Sequence, residues 1–396
     1  MSIDLGRYPF RGDFHSQIET DLIFTDIYPQ QSQRDVSIHI QEDLLYDFSA
    51  ENVGYIYLQA KGHGRIRLDY GEWLNEIYDC EDEELPDWYE TPYDIFEINS
   101  DEFCLFISGG RRAFRFLRLS KLDGDIEIKN LMLKAVEARN SMEGSFHCSN
   151  TKLNKIYEIS KRTTRLCMQK YLEDGIKRDG LCWISDAFVQ AMCDYATFGN
   201  SVVVRNSLLY FLQSMRYDGW MPTNATIGGA HQHPQNIAYM FDYVGGKMPE
   251  DIPDFFEGCG EIYYIMYHAD LISMIYEYYL FTHDKNFVEQ IWTYIQKTIA
   301  FLMDVNEEFI AKSLMPRAEY KSRKLIDNFC DIGGATCTLI YGLKNYLKLC
   351  KVVDDMDLLP NATNAIDKFS QIALRYMDEQ KRVWRLDGLL KENINI

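Results

Sequence analysis

The hydrophobic pattern of this chain changes its period near Asn140, and this change constrains the fold more than any other feature. Before it, apolar and polar residues alternate in short runs such as Val53–Ala60 and Gly64–Tyr70, which predict half-buried β-strands. After it, apolar residues recur at helical spacing. Because 396 residues exceed one ordinary core, we predict two domains, 1–140 and 141–396.

The first domain is predicted to be an antiparallel β-sandwich, because it holds many short strands broken by Gly, Asp and Pro. The Gly-rich segment Lys61–Gly64 is predicted to be a hairpin loop. The acidic segment Glu81–Glu90 indicates a solvated loop. The remaining strands are predicted at Asp35–Ile40, Ile95–Ile98, Phe103–Ile107, Ala113–Leu119 and Asp125–Ala138.

The second domain is predicted to be helical, with Ser149 or Asn150 as the cap of its first helix. Segment Ile262–Phe281 is apolar nearly all round, which predicts an inner helix with a polar slot facing a cavity. That slot holds Asp270, Ser273 and Glu277. Antiparallel helices of similar length favour an array of α-hairpins or a toroid. The others are predicted at Trp183–Phe198, Ser201–Arg216, Phe287–Leu302, Ala335–Cys350 and Asn361–Tyr376.

The net charge of -19 argues against nucleic-acid binding and against docking on an anionic membrane, since both need a basic surface. No stretch approaches the ~20 apolar residues of a membrane span, and the N-terminus lacks the pattern of a signal peptide. We therefore expect a cytoplasmic protein. The 10 Cys lack metal-site spacing, so neither a metal nor a cofactor is expected. A neutral partner such as a glycan is compatible with this composition.

The segment Tyr171–Asp194, YLEDGIKRDGLCWISDAFVQAMCD, carries most of the chemical groups that suggest a site. Carboxylates accept hydrogen bonds from sugar hydroxyls, arginine donates a fork, and an indole stacks on the apolar face of a sugar. Asp186, Gln190 and Asp194 are spaced to line one helical face. A capped helix start with an exposed Arg–Asp ion pair is the structural alternative, and composition does not separate the two. The candidates are Asp174, Arg178, Asp179, Trp183 and Asp186.

Paired carboxylates are the strongest chemical signal, because a glycosidase needs one acid to protonate the leaving oxygen and a second group opposite it. Asp179 is the natural acid, since it follows Arg178 and precedes an indole that lowers local polarity. The charge of Asp174 or Asp186 would raise its pKa. Trp220 lies in a long irregular connection, which is typical of a functional loop.

The motif DGIKRDGLCWISD resembles the signature of bacterial α-L-rhamnosidases. Tyr46–Phe48 with the following strands resembles their β-sandwich, and Glu277–Leu280 resembles their aromatic helix. The resemblance implies a β-sandwich followed by an α/α six-hairpin toroid, and inverting hydrolysis of terminal α-L-rhamnosides. It implies Asp179 as general acid, although most members have Glu there. The substrate-binding candidates are Asp174, Arg178, Trp183, Asp186, Trp220, Asp270 and Glu277.

Roughly seven helices follow Leu153 at ordinary helix lengths, whereas six hairpins need twelve, so we expect an incomplete toroid. The family's second catalytic carboxylate has no match, and Asp270, Glu277 or Asp331 would have to replace it. Weak or absent hydrolysis is therefore expected. The alternatives are a truncated or degenerate member that binds carbohydrate without turnover, and a scaffold completed by a partner chain. An open arc of helices exposes apolar faces, which predicts self-association.

Overall fold

The structure, a computed structural model, describes residues 17–30, 35–78, 93–177, 181–213, 215, 219, 221, 224–226, 265–307, 309–310, 332–378 and 383–384. An antiparallel sheet precedes a set of helices in these residues, which confirms the predicted β plus α fold. The sheet is ordered β1-β5-β3-β4, with β2 beside β5. Its strands are β1 Leu22–Ile27, β2 Ile38–His39, β3 Leu44–Gly71, β4 Tyr93–Ile107 and β5 Arg112–Ala138, and α1 Leu74–Tyr78 follows β3.

Two very long strands build the sandwich: β3 has 28 residues and β5 has 27. The start and the end of β3 both pair with the same segment of β5, since Leu44 and Leu68 are each opposite Leu119. The middle of β3 pairs with the second half of β5, where Tyr55 is opposite Lys134. β3 therefore curls round its neighbour, and the apolar faces of both halves enclose one core. This is the predicted sandwich, made from bent strands that are shared by its layers.

The predicted hairpin at Lys61–Gly64 is wrong, because these residues continue β3 without a turn. Gly62 lies between two strands, opposite Ile126 on one side and Ser100 on the other. Its φ is +117°, and a Cβ there would lie 2.1 Å from the carbonyl oxygen of Asp125. The glycine serves the close approach of a neighbouring strand. The paired short strands predicted after residue 93 are likewise the single strands β4 and β5.

Eight further helices are present in the described part of the chain after residue 140. Asn150 caps the first, accepting hydrogen bonds from the backbone N–H groups of Lys152 and Leu153. The predicted helix Phe287–Leu302 is instead two helices that meet at Ile291. The helices are α2 Thr151–Cys167, α3 Ile184–Thr197, α4 Ser201–Gln213, α5 Met266–Thr282, α6 Lys285–Gln290, α7 Trp292–Asp304, α8 Ile332–Val353 and α9 Leu359–Arg375. Short strand pairs are β6 Leu181–Trp183 with β7 Asn224–Thr226, and β8 Met377–Asp378 with β9 Val383–Trp384.

Helix α5 lies between α3 and α8, and eight of its residues are buried. Gly342 of α8 allows the close approach, since a Cβ there would lie 2.6 Å from the Cβ of Ala269. This agrees with the predicted inner helix. The predicted polar slot is divided, however, because Ser273 is buried between helices and accepts from Asn345 Nδ2 at 3.1 Å. None of the helices in the described ranges is long and apolar enough to cross a membrane.

Candidate functional site

The candidate motif lies where the chain leaves α2 and enters α3. After α2, Met168 forms an isolated β-bridge with Leu172, and Asp174 follows half-buried. Gly175 turns the chain with a φ of +54°, and Lys177 is buried again. Arg178 and Asp179 lie outside the described residues. The chain is next described at the short strand β6, which leads directly into α3.

Trp183 ends β6 and lies opposite Asn224 of β7, directly before the first residue of α3. Its ring meets Tyr267 of α5 edge to face, with centroids 6.5 Å apart and an interplanar angle of 75°. The indole Nε1 is buried, and no acceptor lies within reach of it in the described part of the protein. Buried donors are normally paired. Among the described residues this N–H is an exception, and it lies at the place where the motif predicts a ligand.

Ser185 and Asp270 join the first turn of α3 to the second turn of α5. The Ser185 hydroxyl donates to Asp270 Oδ2 at 2.5 Å. Burial raises the pKa of Asp270 to about 6, although the hydrogen bond from Ser185 opposes this rise. A carboxyl with such a pKa can exchange a proton near neutral pH. The sequence indicated Asp270 as a candidate but not Ser185, because a serine in the first helical turn commonly serves the helix itself.

The face formed by Asp186, Gln190 and Asp194 has two roles. Asp186 is half-buried in the first turn of α3, and Gln190 Nε2 donates to the carbonyl oxygen of Glu173 at 3.1 Å. This contact places the middle of the face against the residue before Asp174. Asp194 is fully buried at the other end of α3 and accepts from the backbone N–H of Asn200 at 3.1 Å. It thus holds the corner between α3 and α4.

Glu277 lies seven residues after Asp270, or ~10 Å along α5. Its carboxylate is near Tyr195 of α3, whose pKa is raised by burial first and then by the charges of Asp194, Tyr278 and Glu277. Asp270 therefore meets the start of α3, which Trp183 directly precedes, whereas Glu277 is towards the opposite end of the same helix pair. Within the described ranges, no three His, Cys, Asp or Glu side chains are arranged to hold a metal ion.

Trp220 lies outside the described residues, although both of its neighbours are placed. The carbonyl oxygen of Gly219 accepts from Thr298 Oγ1 at 2.7 Å. The backbone N–H of Met221 donates to His268 Nε2 at 3.0 Å. These contacts hold the two neighbours against α7 and against the first turn of α5.

Residues 141–327 match the family model described as the bacterial alpha-L-rhamnosidase 6 hairpin glycosidase domain. The resemblance to bacterial α-L-rhamnosidases is confirmed. The matched segment contains the whole motif and all of α5. No curated protein matches the sequence.

Solved structures of rhamnosidases share the fold of this rhamnosidase-like chain. A rhamnosidase from Klebsiella oxytoca with rhamnose bound matches with a TM-score of 0.69 at 17% identity, over 93% of this chain and 74% of that one. The α-L-rhamnosidase of Streptomyces avermitilis complexed with L-rhamnose gives 0.62 at 13% identity, over 92% of this chain and 32% of that one. A family 78 rhamnosidase of Bacillus sp. GL1 gives 0.61 at 19% identity, over 87% and 33%. This chain thus spans about three quarters of the first relative and one third of the others.

The rhamnosidase-like motif is also attached to the sandwich, through residues that the sequence did not indicate. Arg111, directly before β5, forms a buried ion pair with Glu173. Glu76 of α1 forms another with Lys177. Sequence offers no signal for such pairs, because the partners are 62 and 101 residues apart.

Proposed function

We propose that this chain is an α-L-rhamnosidase-like glycoside hydrolase that acts on terminal α-L-rhamnosides with inversion, using Asp179 as general acid. The observation that carries the proposal is the motif itself: it lies inside the segment matched by the family model, and its last three residues begin helix α3. Two similar solved structures, from Klebsiella oxytoca and Streptomyces avermitilis, contain rhamnose, which supports a carbohydrate ligand.

The described groups suit the recognition of a sugar ring. Asp174 and Asp186 supply carboxylate oxygens that accept from ring hydroxyls. Trp183 Nε1, which has no partner among the residues that the structure describes, supplies a donor, and the indole supplies an apolar face. Because the starts of α3 and α5 meet at Ser185 and Asp270, these groups belong to one end of the helix pair.

Inversion needs a second group that activates water, with the two carboxyls ~6.5–9.5 Å apart. We propose Asp270 for this role, since it accepts a hydrogen bond from Ser185, two residues after Trp183, and its pKa of about 6 leaves it mostly ionised at pH 7. Water attacks the anomeric carbon as its proton passes to Asp270. The bond from that carbon to the leaving oxygen breaks, and the leaving oxygen takes the proton of Asp179.

Sugar binding without turnover is the second candidate. It is favoured because the resemblance matches no residue of this sequence to the family's second carboxylate, and because loss of a general base removes ~10²–10⁴ in rate. Binding needs only the local groups around Asp174 and Trp183, so it does not depend on that base.

The test combines binding with turnover. L-rhamnose affinity is measured by titration calorimetry with L-fucose as the control sugar, and a panel of aryl glycosides including the α-L-rhamnoside is assayed for release. We expect selective binding of L-rhamnose and slow turnover that Asp179→Asn abolishes. Asp270→Asn should lower kcat by about 10²-fold or more with little change in binding. The first sugar product should be the β-anomer by NMR.

Four other results are decisive. Selective binding without detectable turnover establishes the second candidate. Turnover that gives the α-anomer first contradicts inversion. Failure to bind rhamnose, or preferential hydrolysis of another glycoside, refutes the proposal.

A further inference from the structure

Two buried ion pairs connect the sandwich to the five residues Glu173–Lys177, which contain Asp174. In the pair of Arg111 with Glu173 the side chains are 9% and 1% exposed. In the pair of Lys177 with Glu76 both are 5% exposed. The pairs therefore bracket the candidate carboxylate, one directly before it and one three residues after it, and in both the partner belongs to the sandwich side.

Three further hydrogen bonds hold the first pair, that of Arg111 with Glu173, in place. Arg111 Nη1 also donates to Gln169 Oε1 at 2.9 Å, and Gln169 Nε2 donates to the carbonyl oxygen of Val136 at 3.0 Å. The carbonyl oxygen of Glu173 accepts from Gln190 of α3. Burial raises the pKa of Glu173 and the Arg111 guanidinium opposes the rise. Glu173 thus connects β5 and the end of α2 to the helix that carries Asp186.

The second pair is held by the turn that starts α1. Glu76 Oε2 accepts from the backbone N–H of Glu72 at 2.8 Å, while its other oxygen meets Lys177 Nζ. The carboxyl of Glu51 is nearby, and burial and the Glu72 carboxyl raise its pKa to about 7. Arg162 of α2 donates to the carbonyl oxygen of Glu51. The sandwich and α2 therefore meet beside Lys177.

Attachment alone does not require these charges. Replacing a buried ion pair by packed apolar side chains is often neutral or stabilising, because two charges must be desolvated. Apolar contacts are also non-directional. What the charged pairs supply is a fixed orientation, since Arg111 donates to Glu173 and to Gln169 at the same time.

We infer that Arg111 and Glu76 are positioning residues: through Glu173 and Lys177 the sandwich holds Asp174 in the orientation that sugar recognition needs. This rests on the proposed function. A misplacement of about 1 Å at a reacting or binding group is enough to lose ~10²-fold in function. The sandwich is thereby part of the site through these two ion pairs.

The experiment compares Arg111→Met and Glu76→Gln with Arg65→Met, a control that breaks the exposed pair with Asp123 on the same sheet. Hydrogen exchange of peptides that cover 169–177 and the affinity for L-rhamnose are both measured. We expect faster exchange in this segment and about tenfold weaker affinity in the two test variants, with α5 unchanged. The control should alter neither quantity.

A double variant, Arg111→Met with Glu173→Leu, separates positioning from stability. Apolar replacement of both partners should restore the melting temperature that the Arg111→Met variant loses, but it should not restore the affinity for L-rhamnose. If affinity follows melting temperature in every variant, or if exchange at 169–177 is unchanged, the inference is refuted. If the unmodified chain does not bind rhamnose but the two test variants still speed hydrogen exchange at 169–177, the proposed function has failed. The positioning of this segment by the sandwich then still holds.

Discussion

Replacing Asp270 by asparagine should change how the stability of the protein depends on pH. Burial raises the pKa of Asp270 from 3.8 to about 6, against the opposing hydrogen bond from Ser185. Below pH 3.8 the carboxyl is protonated in both the folded and the unfolded chain. Between the two pKa values the folded chain binds the extra proton, so its stability falls as pH rises. The shift of about 2 pH units corresponds to about 3 kcal/mol.

The Asp270→Asn variant carries no such charge, so its free energy of unfolding minus that of the parent should increase by about 3 kcal/mol from pH 3.5 to pH 7. Urea unfolding followed by circular dichroism across this range measures the difference, and titrations shared by both proteins cancel. Ser185→Ala removes the hydrogen bond that lowers the pKa, so its stability should fall over a range that extends to higher pH. A difference that is flat, or that decreases with pH, would show that Asp270 is not a desolvated carboxyl.

Three further substitutions test the packing and the site. Gly342→Ala should lower the free energy of unfolding by about 1–3 kcal/mol, since backbone atoms of Ala269 lie within 2.8 Å of the new Cβ. Its control, Gly334→Ala on the same helix, meets nothing within 4 Å and should stabilise by about 0.5–1 kcal/mol; equal effects in thermal melts would contradict the contact. Asn150→Ala should cost about 1 kcal/mol, whereas Asn150→Asp keeps the cap and should cost little. Trp183→Phe should weaken L-rhamnose binding several-fold by calorimetry with little change in stability, and unchanged affinity would exclude its N–H from recognition.

The helices were predictable because their signals are local. The cap at Asn150 and the apolar stripes of α3 and α9 lie within a few turns of chain, and the structure agrees with them to within a few residues. The break at Ile291 was not predictable, since the apolar spacing continues across it. The hairpin predicted at Lys61–Gly64 is wrong, because a glycine that permits a turn and one that permits the close approach of a neighbouring strand look alike in sequence.

The site was predictable only where its residues are neighbours in sequence. The motif placed Trp183 and Asp186 at the entry to a helix, and this is their place in the structure. The bond between Ser185 and Asp270 spans 85 residues, and nothing in either segment indicates the other. The division at residue 140, the roles of the site residues, self-association and a cytoplasmic location stay predictions.

The shared strands of the sandwich have a consequence for how that part of the molecule opens. Because β3 and β5 pass through both layers, hydrogen bonds in one layer cannot be lost without loosening the strand that continues in the other. Such coupling makes a sheet open as one cooperative unit. Amide hydrogen exchange should therefore be uniformly slow along both strands. The backbone amides of Arg111 and Glu76, the two positioning residues, should exchange as slowly as those of the sheet.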